Sequence, residues 1–181
     1  MDRSDLPGAG ASLRVLMPSP IGPLGVELRQ TAVTRLIIDP VDPERSTFTP
    51  LHEIDGSDFL DEVFGRLAEY FAGARRKLEV EFNLTFCGRT GFARRVLKQT
   101  AKIPYGKTRT FQGIAEMTGR SGAQALVIQV LLENPIPIII GCHRVVLGQS
   151  LPGGYVGGTE RKLWLLQLES NPQGVPPIPS L

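Results

Sequence analysis

Hydrophobic and polar residues alternate with a two-residue period near the start of the chain and with a helical period farther along. The stretch SLRVLMPSPIGPLGV over residues 12–26 predicts two short strands joined by a Pro/Gly turn, and residues 32–38 predict a third strand. Apolar positions at helical spacing from Phe59 to Phe71, after an N-cap candidate at Ser57, predict an amphipathic helix that packs on this sheet. Residues 78–84 predict a strand that returns to the sheet.

The second half of the chain predicts a mainly helical unit. A basic helix with Phe92, Val96 and Leu97 facing inward follows a glycine-containing segment at 87–91, which we interpret as a hinge. Residues 111–117 and 123–133 predict two helices separated by the turn GRSG, an arrangement typical of a helix-turn-helix, and a last helix is predicted over 159–169. We therefore expect a mixed α/β (α+β) fold with domains at 1–84 and 85–170 and a flexible, proline-rich tail at 171–181.

An apolar run over residues 135–140 leads directly into Gly141, Cys142 and His143. One of the two cysteines therefore stands beside one of the two histidines. In a regular strand, adjacent side chains point to opposite faces, so this adjacency does not imply a Cys–His hydrogen bond. Two interpretations stay open on these residues alone: a thiol activated by a nearby base and cation, or a buried cysteine that ends a strand. The cysteines and histidines match no metal-ligand spacing that we can name, so neither a metal nor a cofactor is predicted.

Charge is distributed unevenly along the chain, although the formal net charge is only +2. Residues 1–81 carry nine Lys and Arg against fourteen Asp and Glu, whereas residues 82–181 carry eleven against four. Such a basic half is typical of a protein that binds a polyanion, and a solvated helix surface is the alternative. No apolar segment is long enough to cross a membrane and no N-terminal signal pattern is present, so a cytoplasmic location is expected.

Three motifs follow one another in the second half: IPYGKTRTFQGIA at 103–115, ENPIPIIIGCHRVV at 133–146, and GGYVGGTERKLWLL at 153–166, which continues to Glu169. With SPIGPLGV in the first half, they make the chain resemble the O6-alkylguanine-DNA alkyltransferases, the methylated-DNA–protein-cysteine methyltransferase family, over roughly residues 12–169. The resemblance implies an RNase H-like N-terminal domain of sheet plus helix. It also implies a C-terminal helix-turn-helix domain of the winged-helix-like kind.

The resemblance also implies a chemistry and a set of residues. Cys142 would take the alkyl group from an O6-alkylguanine flipped out of double-stranded DNA and keep it, so that each molecule reacts once. His143 would deprotonate the thiol through a water, Glu169 would orient His143, and Asn134 would brace the turn that carries the cysteine. The implied pocket residues are Tyr155, Val156, Gly157 and Gly141. The implied DNA contacts are Arg94, Arg95, Thr110, Phe111, Gln112, Gln124, Ala125 and Arg144.

Four features depart from the family pattern. Gly141 stands where the family usually has proline, and Phe111 where it has a tyrosine that helps neutralise the departing guanine. Ala125 stands where the family has the arginine that fills the gap left by the flipped base, and the larger residues 126–128 replace small ones. We therefore expect the reactive centre to be intact and DNA recognition to be weakened.

Two other functions stay open. The chain could be a non-enzymatic relative that binds DNA or a protein partner through the apolar helix at 123–133. It could also be a cysteine hydrolase, although nothing in the sequence suggests a preformed oxyanion site. We expect a monomer, with self-association through the 123–133 helix as the alternative.

Overall fold

The N-terminal half is built on a small β-sheet. The structure, a computed structural model, describes residues 12–42, 44–54, 58–85, 91–148, 151–171 and 175–177. Four strands pair in the order β3-β2-β1-β4: β1 (Leu13–Met17), β2 (Leu24–Arg29), β3 (Ala32–Ile38) and β4 (Thr49–Pro50). Strand β2 is antiparallel to both β1 and β3, and β4 is parallel to β1. The three strands predicted from the alternating pattern are confirmed.

Helix α1 (Asp58–Phe71) supplies the second layer of this half. Its apolar face is buried and belongs to the same hydrophobic cluster as the sheet residues Val15, Val26 and Val33. The helix is amphipathic as predicted, while its proposed N-cap, Ser57, lies outside the described residues.

The strand predicted over residues 78–84 is wrong. This segment pairs with the sheet at a single bridge, between Val33 and Phe82. The Val33 amide donates to the Glu81 carbonyl and the Val33 carbonyl accepts from the Asn83 amide, at 2.9 and 3.0 Å. Glu79 has a φ of 46°, which turns the chain out of the extended conformation that a longer ladder needs.

The C-terminal half is helical. Its helices are α2 (Gly91–Thr100), α3 (Phe111–Met117), α4 (Gln124–Leu132) and α5 (Thr159–Ser170). Two short parallel strands, β5 (Arg109–Thr110) and β6 (Val145–Val146), join the start of α3 to the segment after Cys142. Gly119 and Gly122 adopt positive φ between α3 and α4, so the predicted helix–turn–helix is confirmed. The overall α/β class is confirmed as well.

One buried apolar cluster runs through both halves. It includes Val33 and Tyr70 from the N-terminal half and Ile114, Ile136 and Leu168 from the C-terminal half. Part of the predicted flexible tail makes a defined contact, because the Trp164 indole donates to the Pro177 carbonyl at 2.9 Å. Among the described residues, no helix has both the length and the apolar composition needed to cross a bilayer.

Candidate active site

The segment that carries Cys142 is a series of tight turns. Helix α4 ends before Asn134-Pro135, and residues 142–144 form one turn of 3-10 helix that leads into β6. The interpretation that Cys142 ends a strand is therefore wrong. Ile138 is buried with a φ of 73°, an unusual conformation for a β-branched residue, and tertiary packing must hold it there.

Asn134 ties this segment together. Its amide nitrogen donates to the Ile140 carbonyl at 3.1 Å and lies 3.0 Å from the Cys142 sulfur, while its amide oxygen accepts from the Ile136 N–H. Because Asn134 is buried, these contacts are shielded from water. The side chain thus fixes the thiol relative to the end of α4.

The Cys142 thiol is almost completely buried, with an exposed fraction of 2%. Burial raises the pKa of the thiol to about 11, against the opposing effects of the Asn134 hydrogen bond and the Lys162 charge. The thiol is therefore protonated at neutral pH in this conformation.

His143 and Glu169 form a buried pair beside the thiol. His143 Nε2 lies 2.9 Å from Glu169 Oε1, and both side chains are inaccessible to solvent. A carboxylate can only accept, so Nε2 carries the hydrogen and Nδ1 keeps the lone pair. Within the described part of the chain, Nδ1 has no hydrogen-bond partner. Burial lowers the pKa of His143, against the effect of Glu169, so the imidazole is neutral and able to accept a proton.

Glu169 accepts from three further groups. Arg144 reaches both carboxylate oxygens, with Nη2 to Oε1 at 2.8 Å and Nε to Oε2 at 3.0 Å. The Tyr70 hydroxyl donates to Oε1 at 2.7 Å, and the Gly106 N–H donates to Oε2 at 2.9 Å. Burial alone would raise the pKa of Glu169, but His143 and Arg144 hold it well below its ordinary value. The carboxylate is therefore charged at any pH near neutrality.

The structure corrects two expected DNA contacts. Arg144 is buried. Its guanidinium pairs with Glu169 and donates to the Ile103 carbonyl at 2.7 Å, so its hydrogen bonds are made inside the protein. Phe111 is also buried, because its ring packs against Gly153 and lies 5.4 Å from the Lys162 ammonium. Neither side chain is available to DNA in this conformation.

Lys162 and Tyr70 are site residues that the sequence analysis missed. Lys162 is fully buried, and its ammonium donates to the carbonyls of Val145 and Gly154 at 2.6 and 3.2 Å. Burial lowers the pKa of Lys162 to about 8. Helical spacing could have indicated it, because Lys162 lies seven residues before Glu169 on the face that also carries Leu165. Tyr70 looks like an ordinary core residue of α1 in the sequence, and nothing local distinguishes it.

The segment 151–158 packs against the His143–Glu169 pair through Tyr155. Tyr155 is buried, its ring meets the His143 ring edge-on at 6.2 Å, and its hydroxyl has no partner among the described groups. A Cβ at Gly157 would lie 2.8 Å from the Tyr155 ring, and one at Gly141 would lie 2.9 Å from the Arg144 guanidinium. Gly157 is therefore needed for close packing, whereas a side chain at position 141 would require the end of the Arg144 side chain to shift. The φ of Gly141 is −65°, which is the value that a proline at this position would impose.

Comparison with known proteins identifies the family. Residues 91–171 match the family model described as 6-O-methylguanine DNA methyltransferase, DNA binding domain. The methylated-DNA–protein-cysteine methyltransferase of Mycobacterium leprae is 39% identical over 157 residues, which cover 86% of this chain and 90% of that protein. The corresponding protein of Methanosarcina barkeri is 35% identical over 86% of this chain and 96% of its own length. This chain belongs to the methylated-DNA–protein-cysteine methyltransferase family.

Solved structures agree with this assignment. The crystal structure of Mycobacterium tuberculosis OGT in complex with DNA superposes with a TM-score of 0.75 and 36% identity. The superposition covers 88% of this chain and 93% of that one. An O6-methylguanine-DNA methyltransferase from Pyrococcus kodakaraensis, at 22% identity and a TM-score of 0.59, shares the fold.

The remaining residues expected from the family pattern lie on or near α2, α3 and α4. Thr110 caps α3, since its hydroxyl accepts from the Gly113 N–H at 3.0 Å, and Gln112 is bonded to Glu116 one turn later. Ala125 is exposed on α4 and Arg95 on α2, whereas Arg94 and Gln124 are half-buried. Val156 is exposed at the edge of the pocket segment. No cluster of three or more possible metal ligands occurs in the described residues, and Cys87 lies outside them.

Proposed function

We propose that this protein repairs DNA by transferring the alkyl group of O6-alkylguanine in double-stranded DNA to its own Cys142, once per molecule. The observation that supports this most strongly is the arrangement around the thiol. The Asn134 amide lies 3.0 Å from the Cys142 sulfur. His143, the residue after Cys142, forms a buried pair with Glu169 of α5. All four residues lie in the region that matches the family's DNA-binding domain.

The transfer is a nucleophilic substitution at the alkyl carbon. The thiol proton passes to His143, whose Nδ1 carries the free lone pair, the sulfur–carbon bond forms, and the bond between carbon and O6 breaks. Guanine leaves and takes up the proton, so that the products are a thioether and unmodified guanine. Because the thioether is stable and no second nucleophile removes the alkyl group from the sulfur, the protein is consumed in the reaction.

The electrostatic environment requires proton transfer to accompany the attack. In the resting site both Cys142 and His143 are neutral, since burial disfavours the thiolate and the imidazolium alike. Glu169 stabilises the imidazolium only once it forms, which is the role of the carboxylate in a nucleophile–base–acid triad. A neutral resting thiol also limits adventitious oxidation and alkylation.

The pocket and the DNA contacts complete the proposal. We assign Tyr155, Val156, Gly157 and Gly141 to the wall of the base pocket. Phe111 has no hydroxyl to donate to the departing guanine, and α4 offers no cation at Ala125, so we expect O6-alkylguanine in duplex DNA to be handled less efficiently than is usual for the family. The side chains proposed to contact DNA are Arg94, Arg95, Thr110, Gln112, Gln124 and Ala125.

We further propose that the protein acts as a monomer in the cytoplasm, with domains at 1–84 and 85–170. The continuous core across both predicted domains supports their unfolding together. Self-association is the alternative, because Leu126 and Leu132 of α4 are 46% and 43% exposed.

Intact-mass measurement tests the function directly. After incubation with duplex DNA containing O6-methylguanine, or with free O6-benzylguanine, the protein should gain one methyl or one benzyl group and no more. Cys142→Ala should abolish the gain, and Cys87→Ala, the matched control, should leave it intact. The absence of any adduct with both substrates would contradict the proposal and favour a non-enzymatic binding role. Product released with turnover would instead indicate a hydrolase.

A further inference from the structure

Tyr70 connects the N-terminal half to the proposed catalytic pair. It belongs to α1, far from Cys142 in sequence, yet its hydroxyl donates to Glu169 Oε1 at 2.7 Å and lies 3.5 Å from His143 Nε2. The residue is completely buried, and its ring is held edge-on by Phe71 and Tyr105. Its position is therefore set by the shared core and by α1, and not by the loop that carries the cysteine.

Glu169 Oε1 is a crowded acceptor. It receives His143 Nε2 at 2.9 Å, Arg144 Nη2 at 2.8 Å and the Tyr70 hydroxyl at 2.7 Å, while Oε2 receives Arg144 and the Gly106 amide. Donors that share one oxygen also share its negative charge, so the Tyr70 hydrogen bond weakens the hold of Glu169 on His143. Arg144 neutralises the carboxylate, but Tyr70 is the neutral donor that competes directly at the same oxygen.

We propose that Tyr70 is a positioning residue of the reaction, which fixes Glu169 Oε1 against His143 and limits how strongly that carboxylate stabilises the protonated imidazole. Its hydroxyl contacts Glu169 and His143, so it acts through this pair and not on the reacting atoms. The consequence is that the N-terminal half, through α1, keeps His143 available as a base at neutral pH. The inference deepens the proposed function and rests on it for its meaning in the reaction.

Several other titratable groups lie around the His143–Glu169 pair and stay in place when only the Tyr70 hydroxyl is removed. They are Cys142 and Arg144 from the same turn, Tyr155 from the 151–158 segment, Lys162 and Glu169 from α5, and Tyr105, which acts on Glu169. Of these, Glu169, Arg144 and Lys162 act directly on the pKa of His143. Tyr70→Phe keeps the ring and its packing and deletes one donor to Oε1. The freed carboxylate charge should then raise the pKa of His143.

Tyr105→Phe is the matched control. Tyr105 also contributes a partly buried hydroxyl beside α5, but that hydroxyl donates to the backbone carbonyl of Leu168 at 3.2 Å and not to the carboxylate. Its ring contacts Tyr70 at a centroid distance of 6.0 Å, so both variants disturb the same packing. A purely structural role of Tyr70 would make the two variants behave alike.

NMR titration of the imidazoles is the first readout, and it does not depend on alkyl transfer. The chain has only two histidines, and the exposed His52 serves as an internal reference. Tyr70→Phe should raise the midpoint of His143 by about 0.5 to 1 pH unit. Tyr105→Phe should shift this midpoint much less, because its hydroxyl donates to the Leu168 carbonyl and not to the carboxylate. An unchanged or lowered midpoint in Tyr70→Phe would overturn the inference.

The pH dependence of benzyl transfer from O6-benzylguanine to Cys142 is the second readout. Its acid limb should move to higher pH in Tyr70→Phe by the same amount as the NMR midpoint, and a superimposable profile would contradict the proposal. Site-specific 3-fluorotyrosine at position 70, a stronger donor of the same shape, should move both midpoints to lower pH, and it covers the case in which Tyr70→Phe does not fold. If no variant transfers the benzyl group while the NMR shift is present, the proposed function fails and the positioning role stands.

Discussion

The Cys142 thiol combines a protected resting state with a neighbouring group that we propose as the proton acceptor. Protection comes from burial, and the proposed acceptor is His143, whose Nε2 is bonded to Glu169. The same environment that raises the pKa of the thiol lowers that of the imidazole, so the two groups exchange a proton only when a substrate makes the exchange favourable. Reactivity toward soluble reagents and reactivity toward alkylguanine should therefore differ sharply.

Alkylation by iodoacetamide tests this difference. Because the pKa of Cys142 is raised to about 11, only about one molecule in 10⁴ carries the thiolate at pH 7. We expect the rate of Cys142 labelling to climb tenfold per pH unit from pH 7 toward 11, whereas transfer from O6-benzylguanine proceeds at neutral pH. The measurement is mass spectrometry of the labelled protein at each pH, with Cys142→Ala to subtract labelling of Cys87. A labelling rate that levels off near pH 7 would contradict the expectation.

At the scale of the elements, the site depends on how α3 begins and how α4 ends. Thr110 starts α3 by capping it, and Asn134 converts the end of α4 into the turns that carry the cysteine. The glycines at 119 and 122 allow the sharp connection between the two helices. Short helices of this kind depend on their caps, because few internal hydrogen bonds hold them.

Removal of the α3 cap should therefore be measurable. Thr110→Ala deletes the acceptor of the Gly113 N–H and should lower the free energy of unfolding by about 1 kcal/mol. Urea denaturation followed by circular dichroism measures the change. Thr108→Ala, at an exposed threonine that caps no helix, is the control and should have little effect. Equal losses in the two variants would show that the cap does not stabilise α3.

At the scale of the whole molecule, Arg161 joins the N-terminal sheet to the pocket segment. Its guanidinium pairs with Asp39 at 2.7 Å and donates to the carbonyls of Ile21 and Gly157 at 2.8 and 3.1 Å. The β3 edge adds a second connection, because the Leu36 amide donates to the Pro135 carbonyl at 2.8 Å, next to Asn134. The N-terminal half thus contacts the site region through the Asp39–Arg161 pair, the Leu36–Pro135 hydrogen bond and the Tyr70–Glu169 hydrogen bond.

A double-mutant cycle measures the first of these connections. Arg161→Met and Asp39→Asn should each destabilise the protein, and the coupling between them should be about 0.5 to 1 kcal/mol, since the pair is only partly buried. Chemical denaturation of the four proteins gives the coupling. The partly exposed pair Arg75–Glu69, which lies within the N-terminal half, is a matched cycle for comparison. Hydrogen exchange at residues 153–158 should accelerate in Arg161→Met and not in Arg75→Met.

The sequence by itself determined the secondary structure wherever the pattern was local. Strands β1 to β3, helix α1 and the helix-turn-helix follow from periodicity and turn residues, and the motifs around Cys142 determined the family. The predictions that failed depended on contacts between distant parts of the chain. Residues 78–84 have the composition of a strand but pair with the sheet at a single bridge. Arg144 has the sequence context of a surface cation, but the fold buries it against Glu169.

Only the tertiary structure decided which polar groups are buried together. Tyr70, Lys162 and Arg144 come from three separate parts of the chain, and local spacing points only Lys162 toward Glu169. Their protonation states depend on this burial, because removing water shifts a pKa only after the fold has excluded it. The sequence could therefore name the proposed nucleophile, while the fold determined the charges around it.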